Sequence, residues 1–145
     1  MHVPYAVDVR PSPDGGRLVE VTLDFTSAQL EAGAHAAQRV LEDRYRVPVL
    51  ESVDDILAMR DLTWIADELS APVPTGQGVR LTFTVARLGR LREALETFAS
   101  GREDGLMRER DAEVLPDVHA LVDGVADAHA AAIRAALDAE SPTFG

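Results

Sequence analysis

Two runs of alternating side chains near the N-terminus constrain this chain more than any other feature. Val3, Tyr5, Val7 and Val9 alternate with His2, Pro4, Ala6, Asp8 and Arg10, and Val19, Val21, Leu23 and Phe25 alternate with Glu20, Thr22 and Asp24. A period of two puts one set of side chains on each face of an extended chain, so each run reads as a half-buried strand. Pro4, which has no N–H to give to a ladder, marks the first as an edge or a strand start. Between the runs, Arg10-Pro11-Ser12-Pro13-Asp14-Gly15-Gly16 is dense in turn formers, and the whole predicts an antiparallel hairpin.

After the hairpin the period changes to that of a helix. Thr26 and Gln29 have capping-box spacing, with Ser27 the alternative cap, and Leu30, Ala34, Ala37 and Leu41 follow at helical intervals to about Arg44. Val47-Pro48-Val49-Leu50 is either a short edge strand or a connector. Ser52 with Asp55 opens a second helical stretch through Ile56, Leu57, Trp64, Ile65 and Leu69, with a break expected near Arg60-Asp61, where Asp61 would cap a second piece. Residues 70–78 read as a loop. Val79, Leu81, Phe83 and Val85 alternate with Arg80, Thr82 and Thr84 as a third strand.

Leu88, Leu91, Leu95 and Phe98 then form the apolar stripe of a helix that Gly101 is placed to end. The stretch from Arg102 to Asp111 is charged and expected to be exposed. Pro116 reads as a first-turn proline of a final helix, whose apolar face would be Val118, Val122, Val125, Ile133 and Ala136, reaching about Ala139. The expected architecture is α+β: a small antiparallel sheet, the hairpin plus a third strand with or without a short fourth, packed with four to five helices on one face. Residues 1–140 would form one domain, with 141–145 a flexible tail. A narrow sheet leaves exposed edges, which invites a homodimer.

Composition bounds the chemistry. At 145 residues the chain can bury roughly two-thirds of its unfolded surface. Apolar residues make up 46% of it but aromatic residues only 5%, so aliphatic side chains and alanine must fill the core. All 14 basic residues are arginine, and there is no lysine, cysteine or asparagine. These absences exclude a lysine Schiff base, a phosphate loop with its lysine, disulfides and thiolate nucleophiles or metal ligands. Such a bias fits a high-GC genome, and a high-salt habitat favours the same trend. No apolar run approaches the length of a membrane span and no signal-peptide layout opens the chain, so a cytoplasmic location is the expectation. A net charge of −11 disfavours nucleic acid and anionic membranes and favours a basic protein partner, or serves solubility alone.

Few residues are candidates for a site. His119, Asp123 and Asp127 stand at steps of four on the final helix and stack on one face, where they could hold a divalent cation. The same face continues into Arg134 and Asp138, and a solvated acidic surface accounts for the pattern. His129 falls on the apolar stripe, as a core or interface histidine does. Glu31 and His35 lack the Glu-x-x-His spacing of di-iron bundles, and His35 reads as a surface residue. Arg80, Arg87 and Arg90 lie where the third strand runs into its helix, in a segment (79–102) of net +3, and mark a possible anion or contact site. The competing reading is that these arginines pair with the acidic final helix or with other carboxylates. Gly76-Gln77-Gly78 precedes a strand rather than following one, so it is a turn and not a dinucleotide loop. No catalytic constellation and no cofactor motif emerges. The expected role is a non-catalytic protein–protein interaction or inhibitor/immunity-type module. The alternatives are a small-ligand or metal-dependent enzyme using carboxylates and histidines, and a structural subunit of a larger assembly.

Overall fold

The structure, a computed structural model, describes residues 3–46, 52–70, 78–100 and 109–140. The hairpin forms as its pattern requires. Strands β1 (Tyr5–Pro11) and β2 (Arg17–Phe25) pair antiparallel, with Val7 opposite Val21 and Val9 opposite Val19. In the turn the Gly15 N–H donates to the Ser12 carbonyl at 3.0 Å and the Gly16 N–H to the Asp14 side chain at 3.1 Å. Gly15 has φ +90°, a conformation that side chains with a Cβ rarely adopt. Strand β3 (Val79–Thr84) pairs antiparallel with the other edge of β2, giving the order β1-β2-β3. Alternation settles the faces. Val19, Val21, Leu23, Phe25 and Phe83 are buried, while the opposite face carries the pairs Arg10–Glu20, Thr22–Thr82 and Asp24–Arg80.

Four helices complete the described chain: α1 (Ser27–Arg46), α2 (Val53–Leu69), α3 (Val85–Ser100) and α4 (Glu109–Glu140). At the start of α1, the Gln29 N–H donates to Thr26 Oγ1 and the Thr26 N–H to Gln29 Oε1, the reciprocal box expected from the spacing. Ala32, Ala34, Ala36 and Ala37 are all buried, so α1 is enclosed on most sides and lies against α2, α3 and α4. Alanine allows that close approach. Leu88, Leu91, Leu95 and Phe98 of α3 are buried, as their stripe implies. These helices share one apolar cluster with β2 and Phe83.

Several boundaries differ from expectation. Helix α2 runs unbroken past Arg60-Asp61: no glycine or proline interrupts it, and Asp61 reaches sideways to Arg87 at 3.6 Å instead of capping. Its box is at Ser52 and Asp55, as expected, but Ile56 and Leu57 are exposed. Helix α4 begins a full two turns before Pro116, which therefore sits inside it. Proline removes the N–H that would bond the Ala112 carbonyl. Ala112 and Pro116 are both exposed, so the interrupted bond lies on the solvent side of the helix. The buried stripe of α4 is Val114, Val118, Leu121, Val125, Ala128 and Ala132, while Ile133 is exposed. Strand β3 ends at Thr84, and Val85 already begins α3, with Thr84 Oγ1 accepting from the Arg87 N–H at 3.2 Å. The expected short strand at 47–50, the helix end at Gly101, most of the charged stretch 102–111 and the tail 141–145 lie outside the described residues.

Candidate functional site

His119, Asp123 and Asp127 are all exposed on α4. Among the described residues no group of three or more histidines or carboxylates is arranged to hold a metal ion. The three candidate arginines do not converge. Arg80 lies on the open face of the sheet against Asp24 at 2.8 Å. Arg87 turns to α2, where its guanidinium lies 4.0 Å over the Trp64 ring and 3.6 Å from Asp61. Arg90 pairs with Glu93 on its own helix at 3.4 Å. Among the described residues, their carboxylate partners come from β2, α2 and α3 rather than from the acidic final helix. Trp64 is half-buried and edge-on to Phe83, so it bridges α2 to the sheet. Arg90 and Glu93 also border a small groove with Ala58, Leu62 and Ala94. Its volume, about 10 Å³, is at the lower limit for a single water molecule.

The densest polar cluster lies elsewhere. Asp111, in the first turn of α4, is fully buried, and the Arg39 side chain of α1 is 4% exposed. Arg39 Nε donates to both Asp111 oxygens, at 3.2 and 3.3 Å, and its other arm reaches Glu42 at 3.3 Å and Asp43 at 3.7 Å. Burial opposes the charge on Arg39, but Asp111, Asp43 and Glu42 outweigh it, and its pKa is raised. His35, one turn before Arg39, puts Nε2 2.5 Å from Asp111 Oδ1 and sets its ring edge-on to Phe98 of α3. A carboxylate only accepts, so the Nε2 of His35 carries the shared proton. His35 is 20% exposed, which corrects the expectation of a surface residue; Asp111 corrects that of an exposed charged stretch. Next to the cluster, Arg110 of α4 pairs with Glu31 of α1 at 3.1 Å.

Linear sequence hid this cluster because His35 and Asp111 are 76 positions apart. One signal was available. Alanines all round α1 imply a helix buried on most sides, where a charged residue such as Arg39 must find a partner.

His129 occupies a different setting. It is half-buried between α4 and α3, with Nδ1 3.3 Å from an Arg92 guanidinium nitrogen. A guanidinium only donates, so Nδ1 is the acceptor and the ring is neutral with its proton on Nε2. Burial first, and the Arg92 charge second, lower the pKa of His129 against a smaller opposing influence of Glu96.

A further surface feature is apolar. Val53, Ile56 and Leu57 are 70%, 55% and 44% exposed and stand at i, i+3 and i+4 on one side of α2. Asp54 and Asp55 border them. No helix among the described residues is long and apolar enough to cross a membrane. The chain matches no protein-family model, no curated protein and no solved structure.

Proposed function

We propose that this chain is a non-catalytic protein-binding module that docks a basic partner through the first half of α2. The observation that carries the reading is the exposed stripe Val53, Ile56 and Leu57 in the same turns as Asp54 and Asp55. Three adjoining aliphatic side chains left in water supply the apolar centre that interfaces require, and the carboxylates supply a rim. In a chain of net charge −11, the partner that fits such a rim is positively charged, as for an inhibitor or immunity-type protein. Such a partner, once captured with the tagged protein, binds the variant Leu57→Asp at least tenfold more weakly, and its on-rate for the wild type falls as salt is added. Undiminished binding by Leu57→Asp, or an on-rate indifferent to ionic strength, would remove this reading.

A catalytic reading draws support from one contact, His35 against the buried Asp111, since an imidazole held by a carboxylate from another element is the arrangement of a general base. Arg39 occupies both oxygens of that carboxylate, which favours a structural role. The variant His35→Ala separates the two: partner binding persists under the docking reading, whereas any hydrolytic or transfer activity found in the wild type would vanish under the catalytic one.

A further inference from the structure

We propose that the chain forms a two-fold homodimer by pairing the outer edge of β3 with the same edge of a second copy, so that two three-stranded sheets continue as one of six strands. Because β2 is central, β1 and β3 each present one edge. Among the described residues no backbone group bonds the outer edge of β3. Of the elements a protein partner can offer, an extended strand is the one that matches such a row of N–H and C=O groups along its length, which fixes the chemistry of the occupant.

The two edges are not equivalent. Strand β1 includes Pro11, which has no N–H to offer, follows Pro4, and has Asp8 at its middle position. Two-fold pairing about that residue sets Asp8 against the Asp8 of the second copy, where like charges are destabilising, and shifting the centre to Val7 or Val9 brings Pro4 or Pro11, which has no N–H, into the ladder. Strand β3 contains no proline and one charge, Arg80, already paired with Asp24.

Its pattern is also compatible with itself. Directly opposed residues share a face, so odd positions must meet odd positions for the two apolar faces to join. Centred on Leu81, the register places Leu81 against its own copy, Val79 against Phe83 and Arg80 against Thr82. No like charges meet. The core thins at both borders of the sheet: Val79 and Leu81, like Val7 and Val9 of β1, are half-buried, whereas Phe25 and Leu23 on β2 are buried. A second copy closes the border at β3.

This surface is separate from the α2 stripe, so either reading can fail without the other. Salt distinguishes them in direction. Two copies of charge −11 repel, so added salt strengthens the dimer, while it weakens the capture of a basic partner on α2. Sedimentation of the wild type is expected to give a dimer mass at high protein concentration, unchanged in Leu57→Asp and lost in Leu81→Arg, which brings two cations together on the axis. The chain has no cysteine, so Leu81→Cys adds a single thiol. Self-opposed residues stand about 4.5–5.5 Å apart between Cα atoms, within disulfide reach. Oxidation is therefore expected to cross-link Leu81→Cys but not Val7→Cys of β1. Hydrogen exchange on the wild type requires no variant to fold: β3 amides should gain protection as protein concentration rises, and β1 amides should not. A monomer at the highest soluble concentration in high salt, or concentration-dependent protection confined to other elements, overturns the proposal.

Discussion

At its first turn α4 meets α1 through Asp111, Arg39 and His35, with almost no solvent between them. Further along, at His129, the same helix meets α3 through an imidazole laid against Gly89, where a Cβ would stand 3.0 Å from His129 Nε2. Both contacts use a histidine, yet the partner groups are opposite in charge. At the first junction a carboxylate accepts, and the buried charge is tied to two neighbouring groups. At the second a guanidinium donates to a neutral ring, and close packing over a glycine holds the helices together. A histidine's role in this fold is set by what faces it across the helix interface.

The comparison breaks most decisively at Asp111. Replacing it by alanine leaves Arg39 charged, buried and without its principal counter-ion, a change that costs about 3–5 kcal/mol in other proteins. The urea midpoint should fall accordingly with the m-value unchanged. A loss under about 1 kcal/mol would mean that the junction relaxes into water and does not fasten α4.

The glycine contact is the next test. Gly89→Val drives a branched side chain into the His129 ring, and overpacking of this kind costs about 1–3 kcal/mol. In a His129→Ala background the same substitution no longer meets the ring and should cost less. A double-mutant cycle on chemical denaturation measures the difference, and a coupling near zero would place His129 outside the α3–α4 contact.

Legibility in the sequence divides along similar lines. The hairpin, the caps at Thr26 and Ser52, strand β3 and the stripe of α3 were readable because each depends on residues within a few positions of one another. The start of α4 was not. Pro116 resembled a first-turn proline, and only the exposure of Ala112 and Pro116 shows why the helix tolerates it eight residues in. The expected break at Asp61 failed for a related reason: the carboxylate is used by Arg87, from a helix packed alongside. Of the candidate site residues, Arg80, Arg87 and Arg90 stand out in the sequence as a charged segment, but periodicity cannot say that each has its own acid. His35, Arg39 and Asp111 were missed because a partner distant in sequence leaves no periodic mark.

Acidification separates the two histidines further. The pKa of His129 lies below its ordinary value near 6.5. The unfolded chain therefore holds this proton more tightly than the native one, so the contribution of His129 is whole above about pH 6.5. It declines as the pH falls through that value and is absent beneath the native pKa. His129→Gln, which cannot take up the proton, should flatten the stability profile between neutral and mildly acidic pH. An unchanged slope would show that other groups govern it.

The smallest expected effect is the most specific. Arg92→Ala removes both the donor to Nδ1 and the nearby positive charge, while its pairing with Glu96 at 2.9 Å is an exposed helix contact. Exposed pairs of that kind contribute roughly 0–1 kcal/mol, so stability should barely move. The titration of His129, followed by NMR, should move more clearly. Burial is the larger cause of its lowered pKa and persists in the variant, so the midpoint should rise but stay below the ordinary histidine value. A midpoint that reached that value would make Arg92 the dominant influence, and His129 would then be held by charge, as Asp111 is, rather than by its burial against Gly89.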